Sequence, residues 1–204
     1  MITIFGSART RASVVLWLVE ELGLDYRHEN YDAVSDPTRT EEFRRLNPAG
    51  KLPVLMDGDF VLTETLAICF YLAKKYGHKY GNGRLLGEGL EEEARVMKWA
   101  SFAMTELDAY AFQLLLAIKF KQQDPHSEIC RDFLGMIDRS LKLLEGDLKG
   151  RDWLVGSEFS LADMLVCHGV NFAAMMGTDL SAFPVVKNWR KQCLSRPAFQ
   201  KIRT

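Results

Sequence analysis

The chain has 204 residues, a formal net charge of −1 at pH 7 and a hydrophobic fraction of 48 %. This length and apolar content suffice for one large domain or for two small domains that share an interface. A nearly neutral chain without a concentrated basic run argues against nucleic acid or an anionic membrane as the main partner, and such surfaces usually serve small-molecule chemistry.

The four cysteines lie far apart, in segments with a helical pattern. They form neither a Cys-x-x-Cys pair nor a cluster with histidine at metal-ligand spacing, so we predict no metal site. We expect reduced, mostly buried thiols, as is typical of a cytoplasmic protein. The N-terminus leads directly into a strand pattern and no apolar run approaches the length of a membrane span, so we expect neither a targeting segment nor a membrane partner.

The first part of the chain alternates strand and helix patterns. Ile2 to Phe5 predicts a strand, and Arg11 to Leu22 predicts a helix because its apolar residues recur on one face. Gly23 then supplies a left-handed stop. A second strand is predicted from Tyr26 to Tyr31 and a short polar helix from Thr38 to Leu46.

The next segment has the pattern of an antiparallel hairpin. Leu52 to Met56 and Phe60 to Thr63 are extended apolar runs, and an Asp-Gly-Asp turn separates them. Pro53 cannot donate to a strand ladder, so it belongs at the start or the edge of its strand, where its peptide bond could be cis. Glu64 and Thr65 then open an amphipathic helix. The predicted order of elements is therefore βαβαββα.

The rest of the chain is predicted to be helical. The glycine-rich stretch 78–89 forms a natural boundary, which gives a first domain at 1–77, a linker at 78–89 and an all-helical domain at 90–204. Ser160-Leu-Ala-Asp163 has the pattern of a capping box and marks a strong helix start. The predicted helices beyond the linker are 90–122, 127–148, one from residue 160 onward, and two closing helices near 183–189 and 195–199.

Asn47-Pro-Ala-Gly-Lys-Leu-Pro-Val-Leu, followed by Glu64-Thr-Leu-Ala-Ile, resembles the glutathione-binding half of a cytosolic glutathione transferase. Phe159-Ser-Leu-Ala-Asp is similar to the box that begins the central helix of this family's second domain, and the resemblance spans nearly the whole chain. It implies a fold of class α/β plus all-α. A thioredoxin-like glutathione-binding domain would come first, followed by an all-helical domain that contributes to the acceptor-substrate pocket.

The resemblance also implies glutathione as a co-substrate and assigns its contacts. The backbone of Leu52, beside Pro53, would pair with the cysteinyl unit as an added strand does. Glu64 would accept a hydrogen bond from the α-ammonium group, and Thr65 would donate one to the α-carboxylate at the helix N-terminus. Lys51 could reach the glycyl carboxylate.

By the same resemblance, the contact to the glutathione sulfur lies between the first strand and the first helix, in residues 6–13. This window contains neither Cys nor Tyr, which disfavours the family's mixed-disulfide and tyrosine classes. The open candidates are Thr10, Ser7 and Arg9, with Thr10 first because it stands at the helix start; Ser13 is the weakest. A plain helix cap for Thr10 and a solvated cation for Arg9 are the structural alternatives.

The leading hypothesis is a glutathione transferase with a role in detoxification, in which bound glutathione thiolate attacks a small hydrophobic electrophile. One alternative is glutathione-dependent reduction of peroxides or disulfides. The other is a non-catalytic binding module of the same fold. The family resemblance further implies a homodimer, formed through the helix after Glu64 and the long helix that begins near Leu90.

Overall fold

The computed structural model of the chain describes residues 1–32, 40–79 and 81–203. The chain forms two compact units. The first comprises Met1–Leu85 together with Arg196–Thr204, and the second comprises Leu86–Ser195. No helix in the described ranges is both long enough and apolar enough to cross a membrane.

The first unit contains a four-stranded mixed sheet with the strand order β2-β1-β3-β4. β1 pairs with β2 in parallel and with β3 in antiparallel, and β3 pairs with β4 in antiparallel. The strands are β1 (Ile2–Phe5), β2 (Tyr26–Glu29), β3 (Val54–Asp57) and β4 (Phe60–Thr63). All four strands of the sequence prediction are therefore present. β2 ends at Glu29 instead of Tyr31 because the Tyr31 N–H turns back onto the Glu29 carbonyl at 2.9 Å.

Three helices accompany the sheet: α1 (Ala12–Glu21), α2 (Glu41–Leu46) and α3 (Thr65–Tyr76). α1 packs against α3 and is mostly buried, in agreement with its apolar sequence. It stops before Gly23, whose φ of 61° is left-handed. The Thr40 hydroxyl caps α2 by accepting from the Phe43 N–H at 3.2 Å. The first two residues of the predicted helix, 38 and 39, lie outside the described residues.

The Asp57 carboxylate joins the end of β3 to α3. One of its oxygens, Oδ2, accepts hydrogen bonds from the Tyr71 hydroxyl, the Lys75 ammonium and the Tyr76 hydroxyl at 2.9, 2.7 and 2.7 Å. Burial alone would raise the pKa of Asp57, but hydrogen bonds from Lys75, Tyr76 and Tyr71 lower it overall. These bonds fix the C-terminal half of α3 to the sheet.

All the regular secondary structure of the second unit is helical. Its helices are α4 (Gly89–Phe102), α5 (Ala109–Leu115), α6 (Glu128–Asp147), α7 (Leu161–Met175) and α8 (Pro184–Leu194). A π-helical turn at Ala103–Asp108 joins α4 to α5, and a second π-helical turn at Leu116–Phe120 continues α5, so one long helix covers most of the predicted range 90–122. α7 approaches the first π turn closely, since a Cβ at Gly169 would lie 2.9 Å from the Leu107 Cβ.

A last helix, α9 (Pro197–Lys201), packs on α1 of the first unit. The Arg196 guanidinium donates to both Glu21 carboxylate oxygens, at 2.6 and 2.8 Å. The rings of Trp17 and Phe199 meet edge to face with centroids 4.9 Å apart. The division predicted from the sequence, a first domain at 1–77, a linker at 78–89 and a second domain at 90–204, stays a prediction. The observed first unit differs from the predicted first domain because it includes this last helix.

Candidate functional site

Three segments singled out in the sequence meet at one end of the sheet. Phe5 lies opposite Val54, and Val54 lies opposite Thr63. The chain therefore leaves the sheet after β1, enters it before β3 and leaves it after β4 at the same end. This register brings together the first loop (residues 6–11), the segment 51–53 and the start of α3.

Gly6 is where the first loop passes closest to its neighbours. Its φ is 132°, and a Cβ there would lie 2.4 Å from the Ala12 Cβ and 3.6 Å from the Leu52 Cβ. Any side chain at this position would collide with the start of α1, so only glycine fits. The first loop thus lies directly beside the Leu52 segment.

β2 holds the backbone of Gly6 on both sides. The Gly6 N–H donates to the Glu29 carbonyl at 2.9 Å, and the Gly6 carbonyl lies 2.6 Å from the His28 Nε2. Because a carbonyl can only accept, Nε2 carries the proton in this bond. Sequence reasoning gave His28 no role, since nothing in its local sequence links it to a residue of the first loop.

Ser7 is the centre of the hydrogen bonds within the first loop. It is 5 % exposed, and its hydroxyl donates to the Asp32 carboxylate at 2.6 Å. The same oxygen accepts from the Arg9 N–H at 3.2 Å. The Ser7 carbonyl accepts from the Thr10 N–H at 3.0 Å and from the Thr10 hydroxyl at 2.9 Å. Asp32 was not among the predicted site residues.

The side chains of Thr10 and Arg9 differ in how many hydrogen bonds they make. The Thr10 Oγ1 also accepts from the Ala12 N–H at 3.2 Å. The N-cap position of α1 is occupied by Arg11, so Thr10 stands one residue before the cap. Arg9 is exposed, and no described residue hydrogen-bonds to its guanidinium. The Thr10 hydroxyl stands at the start of α1, where the positive end of the helix lies.

The Asn47 side chain closes the turn that leads into the segment with Lys51, Leu52 and Pro53. The Asn47 amide donates to the Lys51 carbonyl at 2.8 Å and accepts from the Ala49 N–H at 3.1 Å. Asn47 is only 7 % exposed. Its Asn-Pro-x-Gly sequence is the signal of a side-chain-closed turn, and it could have identified Asn47 as the residue that shapes this loop.

Leu52 and Pro53 lie just before β3 begins. Their peptide bond is cis. Leu52 stands outside the strand ladder, and its backbone makes no hydrogen bond to any residue of the described ranges. Its N–H and C=O groups are therefore available to an added extended chain. Lys51 is exposed, and none of the described residues pairs with its ammonium group.

Glu64 has a strained backbone at the start of α3. Its φ and ψ are 70° and 120°, and its carbonyl accepts the first helical bond, from the Ile68 N–H at 3.0 Å. A residue with a side chain in such a region costs about 1–3 kcal/mol, and such residues cluster at ligand sites. Glu64 is exposed and Thr65 is 6 % exposed; within the described part of the chain, neither side chain has a hydrogen-bond partner.

The end of the sheet therefore presents both signs of charge. Lys51 supplies a cation, Glu64 supplies an anion, and the N-terminus of α3 supplies unpaired N–H groups with positive potential. An ammonium group would be held by the carboxylate of Glu64, and carboxylates by Lys51 and the helix end. The arrangement suits an extended, peptide-like zwitterion.

The chain contributes no reactive thiol of its own. All four cysteines are buried and none forms a disulfide, as predicted. Burial raises the pKa of Cys69, in α3, to about 12. Thiolate chemistry at this site would therefore need a thiol that the ligand brings. Among the described residues, no group of His, Cys, Asp or Glu could hold a metal ion.

Two family models match this chain. Residues 2–74 match the model described as "Glutathione S-transferase, N-terminal domain", and residues 107–197 match "Glutathione S-transferase, C-terminal domain". A probable glutathione S-transferase of Oryza sativa subsp. japonica, GSTF2, is 30 % identical over 203 residues, covering 95 % of this chain and 89 % of its own. GstB of Escherichia coli (strain K12) is 27 % identical over 210 residues, covering 99 % and 97 %.

Solved structures show the same fold. Glutathione transferase F7 from Populus trichocarpa superposes with a TM-score of 0.86 at 25 % identity, covering all of this chain and 98 % of its own. Ure2p in complex with glutathione gives a TM-score of 0.89 at 24 % identity, covering 98 % and 97 %. The predicted fold class, a thioredoxin-like α/β domain followed by an all-helical domain, is confirmed.

Proposed function

We propose, because this chain belongs to the glutathione transferase family, that it binds glutathione and activates the thiol for attack on a small hydrophobic electrophile. One observation carries the proposal. The first loop, the cis-proline segment 51–53 and the strained start of α3 meet at one end of the sheet, where they offer a loop hydroxyl, a free strand edge and a charged helix start.

The proposed pose lays glutathione along the edge beside Leu52. The Leu52 backbone pairs with the cysteinyl unit, Glu64 and Thr65 hold the α-ammonium and α-carboxylate, and Lys51 holds the glycyl carboxylate. The free backbone of Leu52 and the absence of partners to Lys51 and Glu64 within the described residues support these assignments. Two related structures, Ure2p and URE2P8 of Phanerochaete chrysosporium, were solved with glutathione or its oxidised form.

Activation requires only that the site favour the thiolate. Lowering a thiol pKa from about 8.5 to about 6.5 takes roughly 2.7 kcal/mol. One hydrogen bond to a charged group supplies about 1.5–3 kcal/mol, and the N-terminus of α1 adds about 0.3–1 kcal/mol. A single first-loop donor is therefore sufficient. We rank Thr10 first, ahead of Ser7 and Arg9, because its hydroxyl lies at the helix start.

The contact to sulfur is tested by Thr10→Ala, with Thr10→Ser as the matched control that keeps the hydroxyl. We expect Thr10→Ala to lower kcat/KM by about 10- to 100-fold and to raise the apparent pKa of the bound thiol by about one to two units, because the thiolate loses its donor. The pH dependence of kcat/KM reports both. If Arg9→Ala raises this pKa and Thr10→Ala does not, the guanidinium is the contact.

The function itself is tested on the unmodified protein by calorimetry with glutathione and by conjugation of glutathione to a small aromatic halide. We expect saturable binding and saturable conjugation. Turnover of a hydroperoxide or a mixed disulfide without conjugation would indicate the reductase alternative, and binding without any turnover would indicate a binding module. Absence of binding heat would overturn the proposal. The proposal also includes a homodimer, an acceptor pocket to which the helical domain contributes and a cytoplasmic location.

A further inference from the structure

We propose that Asp32 is a positioning residue for the first loop, and that Ser7, which it holds, anchors this loop instead of contacting sulfur. The proposal rests on the function given above and adds to it a residue that neither the sequence motifs nor the family resemblance had identified. It also separates Ser7 from the other candidates for the sulfur contact.

The bond between Ser7 and Asp32 engages the only proton that the serine hydroxyl has. The oxygens lie 2.6 Å apart, which is typical of a hydroxyl that donates to a carboxylate. A serine has one O–H donor, so donation to a thiolate would require this bond to a carboxylate to break. The Thr10 hydroxyl would also have to leave its acceptor, but that acceptor is only the neutral Ser7 carbonyl. It would also leave the Asp32 carboxylate close to a second negative charge, which raises a thiol pKa instead of lowering it.

The remaining polar atoms of Ser7 shape the loop around Thr10. The Ser7 Oγ accepts from the Arg9 N–H, and the Ser7 carbonyl accepts from both the N–H and the hydroxyl of Thr10. A shift of Ser7 would therefore move Thr10. An error of about 1 Å in the position of a reacting group can cost on the order of 100-fold in rate.

Asp32 is itself placed by packing on the sheet. After β2 the chain turns at Tyr31, whose ring lies edge to face against Phe5 at 5.6 Å and beside Phe43 at 5.8 Å between centroids. Phe5 is the last residue of β1 and directly precedes the first loop. This aromatic cluster thus brings Asp32, 25 residues along the chain, to the side of Ser7.

β2 supports the same loop at the preceding residue. His28 and Glu29 hold the carbonyl and the N–H of Gly6, so β2 and the residues after it fix two consecutive residues of the loop. The loop is therefore held from the sheet side by hydrogen bonds, and its Thr10 end is left at the start of α1. This is the arrangement expected of a support that orients a reactive group through fixed neighbours.

Four variants test the proposal: Asp32→Ala, Ser7→Ala, the double variant and Asp32→Asn. Asparagine keeps an oxygen that accepts from Ser7 but removes the charge. We expect Asp32→Ala to lower kcat/KM by about 10- to 100-fold, with the glutathione Kd within about threefold because the anchors at Leu52 and Glu64 are intact. Ser7→Ala should match it, and the double variant should be no worse, because both remove the same bond.

Asp32→Asn should recover most of the lost activity. Hydrogen exchange gives a readout that does not depend on turnover, because the Arg9 and Thr10 amides both donate to Ser7. These two amides should exchange faster in Asp32→Ala than in the unmodified protein. In Asp32→Asn they should exchange at the rate of the unmodified protein. Three outcomes would overturn the proposal. They are a loss of kcat/KM in Asp32→Asn as large as that in Asp32→Ala, a loss in the double variant equal to the product of the two single losses, or unchanged exchange of both amides in Asp32→Ala. Lack of glutathione binding by the unmodified protein would instead count against the proposed function alone.

Discussion

Glu64→Gln is expected to raise the dissociation constant of glutathione by about 10- to 150-fold, toward the lower end because Glu64 is exposed. The carboxylate is the proposed partner of the α-ammonium group, and glutamine removes its charge while keeping its shape. The maximal rate at saturating glutathione should stay nearly unchanged, since Glu64 is proposed to contact the end of the ligand and not the sulfur. Calorimetry measures the affinity and steady-state kinetics measure KM and kcat.

The backbone of Glu64 provides a way to separate binding from folding. Its φ of 70° is easily adopted by glycine, so Glu64→Gly relieves strain of about 1–3 kcal/mol. This gain offsets the additional unfolded-state entropy of glycine, which costs about 0.5–1 kcal/mol. We therefore expect a Tm at or above that of the unmodified protein together with weakened glutathione binding. Such a variant would place Glu64 in the binding site and not in the structural core.

Glu128→Gln is the matched control for both variants. Glu128 is also an exposed glutamate at the start of a helix, but it is the first residue of α6 in the second unit. Its substitution should leave the glutathione affinity unchanged. If Glu64→Gln and Glu64→Gly both bind glutathione as the unmodified protein does, the γ-glutamyl end is not held at the start of α3, and the proposed pose is wrong.

The elements that the sequence predicted correctly all have local signals. β1 matches its predicted bounds, Gly23 stops α1, and the Asp-Gly-Asp turn forms the β3–β4 hairpin. The Ser160 capping box begins α7 as predicted. Each depends on residues within a few positions of one another, where spacing and turn chemistry decide the outcome.

The features that the sequence did not predict depend on contacts between distant residues. Ser7 meets Asp32 across 25 positions, and Glu21 meets Arg196 across 175 positions. No periodicity reports such pairs, because they exist only once the sheet and helices have assembled. The same limit applies to Thr10: its position at a helix start was clear, but its bond to the Ser7 carbonyl required the folded loop. Assignments of individual site atoms were therefore weaker than the assignment of the fold.

Asp163→Asn is expected to destabilise the fold by about 3–5 kcal/mol, because the buried carboxylate accepts four hydrogen bonds and at least two of the donors would lose their acceptor, at about 1–3 kcal/mol each. Oδ1 accepts from the Leu154 N–H at 2.9 Å and the Trp189 indole at 3.0 Å. Oδ2 accepts from the Ser160 N–H at 3.0 Å and its hydroxyl at 2.9 Å. An asparagine has one carbonyl oxygen, so its NH₂ group would face two of these donors.

The loss should be large because Asp163 joins α7, α8 and the loop at Leu154 and is fully buried. In a chain of this length, about 3–5 kcal/mol corresponds to a fall in Tm of about 6–20 °C. Asp179→Asn is the control, since the Asp179 carboxylate is exposed and, among the described residues, hydrogen-bonds only to the nearby Ser181; its effect on the free energy of unfolding should be small by comparison. Thermal and denaturant unfolding measure both variants, and equal, small losses would show that the four donors find other partners when the carboxylate is removed.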